Sequence, residues 1–158
     1  MHGQRGFTLI EMMVTLAILG TLAAAATPLV RHYHQQQQEM ELRESLRSLR
    51  NAIDAYHQAG LDGKIEKKAR DSGYPPTLKQ LIEGVTDTAN PNGGLIYFLR
   101  RIPRDPMCDC PGRSDEETWR LRASTQAPGD FSGGGKDVFD VSSSSTANGL
   151  NGVPYAKW

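Results

Sequence analysis

The sequence predicts an α+β fold: a long N-terminal α-helix packed on a small antiparallel sheet and followed by a C-terminal loop. Three observations point there. An apolar run opens the chain, its helical periodicity continues into an amphipathic stretch, and the remainder holds only short β-like runs separated by Gly, Pro and Ser. At 158 residues the chain suits one compact unit plus an appendage. Eighteen Lys and Arg balance eighteen Asp and Glu, so no global field recruits nucleic acid or an anionic membrane surface.

Phe7 to Val30 holds one ionisable side chain, Glu11. As a helix this run extends about 36 Å, enough for the hydrocarbon core of a bilayer. Arg5 precedes it, while Arg31 and Arg43 after it are offset by Glu39, Glu41 and Glu44, which places the N-terminus on the cytoplasmic side. A cleaved secretory signal is the competing reading, since Ala24-Ala25-Ala26 satisfies a small-residue cleavage rule. Glu11 argues against it, because a carboxylate in such a run costs about 2.5–3.5 kcal/mol at mid-membrane. A hydrated or protonated Glu11 near the interface is a further bland alternative.

Leu42, Leu46, Leu49, Ile53 and Tyr56 form one helical stripe, with charged residues between them and Gly60 as the expected stop. A helix from Phe7 to Ala59 measures about 80 Å. Gly20 and Pro28 interrupt it, which predicts a kink or local melting near Ala24 to Pro28.

Thr77 and Gln80 read as a capping box opening a helix over Leu78 to Glu83 that Gly84 closes. Leu95 to Leu99, Thr118 to Ala123 and Asp137 to Val141 are the strand candidates. Pro103 and Pro106 read as a rigid turn. No nucleophile with its base or phosphate loop stands out, and Gly133-Gly134-Gly135-Lys136 lacks P-loop spacing, so an enzyme is not expected. His32, His34 and His57 read as solvated. Cys108 and Cys110 leave three states open, a strained disulfide, free thiols or an intermolecular bridge, and two thiolates alone do not complete a zinc site.

Gly6-Phe7-Thr8-Leu9-Ile10-Glu11 resembles the processing signal of type IV prepilins and of type II secretion pseudopilins. That resemblance implies cleavage between Gly6 and Phe7 by a prepilin peptidase and N-methylation of Phe7, leaving Glu11 as the fifth mature residue. Cleavage creates an amine at Phe7 beside the apolar run. That amine has two candidate partners, Glu11 of an adjacent subunit or its own Glu11, and pairing would fix register.

Tyr74-Pro75-Pro76-Thr77-Leu78, Leu99-Arg100-Arg101-Ile102-Pro103-Arg104-Asp105-Pro106 and Asp137-Val138-Phe139-Asp140-Val141-Ser142 together resemble the major pseudopilins of type II secretion. The resemblance implies a homopolymer supporting export across the outer membrane. It also implies minor pseudopilins and an inner-membrane assembly platform as partners. The implied map is a leader at 1–6, a membrane or filament-core helix at 7–30, its amphipathic continuation at 31–60 and a periplasmic domain at 61–158. Two alternatives stand beside it: a type IV pilin or minor pilin of a surface filament, and a periplasmic binding module on an uncleaved anchor.

Two features depart from that family. Its C-terminal loop usually binds calcium, for which this chain offers Asp137 and Asp140 but then mainly Ser142 to Thr146, Asn148 and Asn151, so a solvated loop is favoured over a metal site. The cysteine pair is the other departure.

Overall fold

The computed structural model describes residues 6–66, 71–90, 93–133 and 135–158, and the side chains of 25–29 also lie outside the described set. Helix α1 (Leu9–Leu61) carries the first third of the chain. It is followed by α2 (Gln80–Glu83), β1 (Val85–Thr86), β2 (Leu95–Ile96), β3 (Trp119–Arg122) and β4 (Asp140–Ser143), with single 3-10 turns at Glu116–Thr118 and Tyr155–Lys157. The expected α+β class is the observed one.

The chain divides into two compact units, Met1–Gln37 and Gln38–Trp158. In the first, α1 runs without a break through Gly20 and Pro28, so the melting expected at Ala24 to Pro28 does not occur. A proline removes one backbone donor, and the turns on either side retain theirs. No helix among the described residues is long and apolar enough to cross a membrane. Ala25 to Leu29, part of the expected span, do not enter that statement.

The second unit is organised by the α1 stripe. Leu42, Leu49 and Ile53 are 0% exposed and Leu46 3%, and they pack with Leu78, Leu81, Trp119 and Val141. This is what a leucine every three or four residues predicts. Tyr56 completes the stripe half-buried against the ring of Phe98. The helix ends one residue past Gly60, and the left-handed residue is Gly63 (φ 70°), which turns the chain so that the following Lys64 amide donates to the Ala59 carbonyl at 2.9 Å.

The sheet is two separate antiparallel pairs. β3 and β4 run opposite one another with Trp119 facing Ser143 and Leu121 facing Val141. The β4 strand begins three residues later than the Asp137 to Val141 expectation. β2 is only the start of the expected Leu95–Leu99 run, because the Phe98 and Leu99 amides donate to the Leu81 carbonyl instead of continuing the ladder.

α2 is shorter than expected and lacks the capping box. The Gln80 side chain donates to the Gly84 carbonyl at the other end of the helix, 3.3 Å away. Gly84 does close the helix (φ 85°), and a Cβ there would stand 2.9 Å from the Tyr97 ring, so both conformation and space demand glycine. Of the expected turn prolines, Pro106 lies in a turn that the Cys108 amide closes on the Asp105 carbonyl at 3.2 Å, whereas Pro103 lies outside it, its carbonyl accepting the Trp119 indole N–H at 2.8 Å.

Candidate functional site

Three local arrangements bear on function. The first is the start of α1. Gly6 and Phe7 are exposed and non-helical, and the helix begins only at Leu9, so the Gly6–Phe7 bond lies in exposed chain ahead of the helix. Thr8 provides the cap: its hydroxyl accepts the Glu11 amide at 3.3 Å and its carbonyl accepts the Met12 amide at 3.2 Å. Thr8-x-x-Glu11 is the N-terminal half of a capping box, the same sequence signal that Thr77 and Gln80 carry without forming the cap. Glu11 in the first turn also faces the positive end of the helix dipole. Met1 to Arg5 of the expected leader lie outside the described residues.

Phe7, Leu9, Ile10 and Leu16 are 75%, 79%, 70% and 68% exposed. The polar groups nearby look after themselves. Thr15 donates its hydroxyl to the Met12 carbonyl at 2.9 Å, and Thr21 donates to the Ile18 carbonyl at 2.8 Å. Such back-bonding lets a threonine sit in apolar surroundings. Glu11 forms no ion pair among the described residues.

The second arrangement is the C-terminal segment and its attachment to α1 within the second unit. Arg50 donates through Nε to Asp140 at 2.9 Å and through Nη2 to the carbonyls of Val141 and Trp158 at 3.0 and 2.8 Å. Glu39, buried on α1, accepts the Leu150 amide at 2.7 Å and the Tyr155 hydroxyl at 3.0 Å. The Arg43 guanidinium stacks over the Trp158 ring at 4.4 Å.

The two expected calcium ligands do not fit that ion as a pair. Asp140 lies between Arg50 and Arg122, whose guanidinium is 3.3 Å from its second oxygen. Asp137 receives both the Ser124 amide at 2.9 Å and its hydroxyl at 2.6 Å. Burial pushes the Asp137 carboxyl up, but hydrogen bonds from Ser124 and Ser72 outweigh it and hold the group below the usual carboxylate range. Among the described residues no three His, Cys, Asp or Glu side chains converge to hold a metal ion.

What gathers the serine-rich stretch is an anion, Asp105. It is 1% exposed and accepts the Met107 amide at 2.9 Å, the Ser143 hydroxyl at 2.8 Å and the Ser144 amide at 3.0 Å. Its own amide donates to the Thr118 hydroxyl. A cation would collect oxygen acceptors, whereas this carboxylate collects N–H and O–H donors, which Ser supplies well. In the sequence Asp105 stands as one acid of a Pro-rich stretch, with no local signal of its distant donors.

Third, the Cys108–Cys110 pair forms an intramolecular disulfide, closing the question left open between three states. His32 and His34 are exposed, and His57 stacks on Tyr74 with ring centroids 4.2 Å apart. Glu116 and Glu117 form the 3-10 turn before β3.

Residues 1–27 match the prokaryotic N-terminal methylation motif. The chain is 32% identical to type II secretion system core protein G of Klebsiella pneumoniae over 67% of this chain and 71% of that one. To the Vibrio cholerae protein of the same name it is 32% identical over 67% of each. A type IV major alpha-pilin of Moraxella bovis is 42% identical over 61% of this chain and 58% of its own. No solved structure matches. With the methylation motif at one end and this extent of shared sequence beyond it, the chain belongs to the family of type II secretion system core protein G, the major pseudopilins.

Proposed function

We propose that this chain is a structural subunit that polymerises through its N-terminal helix into a type II secretion pseudopilus supporting export across the outer membrane. One observation carries the reading. The apolar first half of α1 is exposed along Phe7 to Leu22, with Glu11 as its lone described charge, inside a matched methylation motif. A surface of that size seeks lipid or copies of itself. The Klebsiella and Vibrio relatives are core proteins of the type II secretion system by name, which supports this reading.

In this reading the protein is a single-pass inner-membrane subunit before assembly, N-terminus in the cytoplasm and globular domain in the periplasm. Residues 1–6 are the leader, 7–30 the filament-core helix, 31–60 its continuation and 61–158 the periplasmic domain. A prepilin peptidase cuts between Gly6 and Phe7, Phe7 is methylated, and its new amine pairs with Glu11. Minor pseudopilins and the inner-membrane platform are the partners of assembly. A subunit of a type IV pilus is the second reading, favoured by the identity to the Moraxella pilin.

Glu11→Ala tests the assembly role. It removes one half of a buried pair, a loss of about 3–5 kcal/mol, while making membrane insertion easier. The expected outcome is full insertion with no filaments in the sheared fraction. Normal filaments from the variant would contradict the role given to Glu11.

A further inference from the structure

The second half of α1 carries two charged edges without an ion pair among the described residues, Arg43 lying instead over the Trp158 ring. At about 100° per residue, Glu41 and Arg43 stand on opposite sides of the helix. On one side, Glu41 and Glu44 border an open groove of about 540 Å³ whose far wall carries Phe98, Arg100 and Arg101. On the other, Arg43 and Arg47 border a groove of about 290 Å³ whose far wall is formed by Asn151, Val153 and Trp158. Glu41, Glu44, Arg43 and Arg47 are all exposed and none forms an ion pair among the described residues. Arg50, by contrast, is spent on Asp140 and two carbonyls. Val153 adds exposed apolar surface to the basic side.

We propose that the Glu41/Glu44 edge of one subunit docks against the Arg43/Arg47 edge of a second copy of this chain. The proposal rests on the filament reading above. Its occupant follows from charge complementarity: one molecule carries both halves of a matched pair at nearly the same height, on two edges whose centres are about 110° apart around the helix. A surface that meets a different surface of the next copy makes a heterologous contact, which propagates as an open filament rather than closing as a dimer. The two edges are displaced by two to three residues, about 4 Å along the helix, so the contact joins neighbours with a small axial offset. Complementary charges also suppress wrong registers, since like charges face one another in most of them.

The test is complementation between two variants of the full chain, expressed with its assembly machinery. Glu41→Arg with Glu44→Arg makes both edges basic, and Arg43→Glu with Arg47→Glu makes both acidic. Each alone is expected to lose at least about tenfold in sheared filaments, and the two together to recover to within about twofold of the parent. Pairing within one helix, as between Glu44 and Arg47, is not rescued by a second chain. Circular-dichroism melts in detergent are expected to match the parent for the glutamate variant and to fall slightly for the arginine variant, which also loses the stacking of Arg43 on Trp158. Near-parental filaments from either variant alone would overturn the docking proposal. So would a failure of the mixture to recover while both variants melt as expected. If a variant melts earlier than that, Arg47→Glu mixed with Glu44→Arg replaces the pair, with the same criterion. Parental chain that makes no filaments would overturn the filament reading itself, a result distinct from any of these.

Discussion

One helix lives in two environments. Along its first part Leu9 and Leu16 are more than two-thirds exposed, whereas in the second unit Leu42 and Leu49 of the same helix are 0% exposed. Composition separates them: the first part is apolar on every side, and the second confines its leucines to one stripe between charges. A striped helix is satisfied by its own domain. A helix apolar all round needs surroundings that the chain itself does not supply. The same leucine is therefore a folding residue in one place and, in the filament reading, an assembly residue in the other.

The sharpest way to break that contrast is to truncate one leucine from each part. Leu49→Ala leaves a cavity in the core and should cost about 2–5 kcal/mol, read as a large drop in thermal midpoint. Leu16→Ala should leave the midpoint unchanged within about 0.5 kcal/mol and reduce filament yield instead. Equal destabilisation by both would erase the distinction. Next in size is Asp105→Asn, which turns one acceptor into a donor facing the Ser143 hydroxyl and the Ser144 amide. A loss of about 1–3 kcal/mol in a denaturant titration is expected, with no effect on membrane insertion.

A smaller effect comes with acid. Asp137 has a folded pKa below its unfolded value near 3.9, so its contribution is complete above that pH and disappears as pH falls through the folded value. Melting midpoints of the parent should fall in that range more steeply than those of Ser124→Ala, which lacks the hydroxyl donor. Smallest of all is the response to calcium. With Asp140 held by two arginines and Asp137 by Ser124, chelator should leave the midpoint where it was. A rise on adding calcium would show that the loop uses oxygens other than these.

Legibility in the sequence followed the range of the interaction. The Leu42 to Tyr56 stripe and the alternation around β3 are local patterns, and both elements appear where the spacing places them. β1 was missed because two residues after Gly84 carry no alternation to read, and β4 shifted because its ends are set by pairing with Trp119 to Arg122. Asp105 was illegible for the same reason: its donors are Ser143 and Ser144, 38 and 39 residues away. Thr8 is the opposite case. Its cap is three residues from Glu11 and could have been read directly.

Glu11 and the accessible Gly6–Phe7 bond make processing the hinge of the account, and the intact mass of the protein purified from its native membrane tests it most directly. The expected mass is that of a chain lacking Met1 to Gly6 and carrying one added methyl group on Phe7. A full-length chain with an unmodified Phe7 would contradict it, because no amine would then exist for Glu11 to meet.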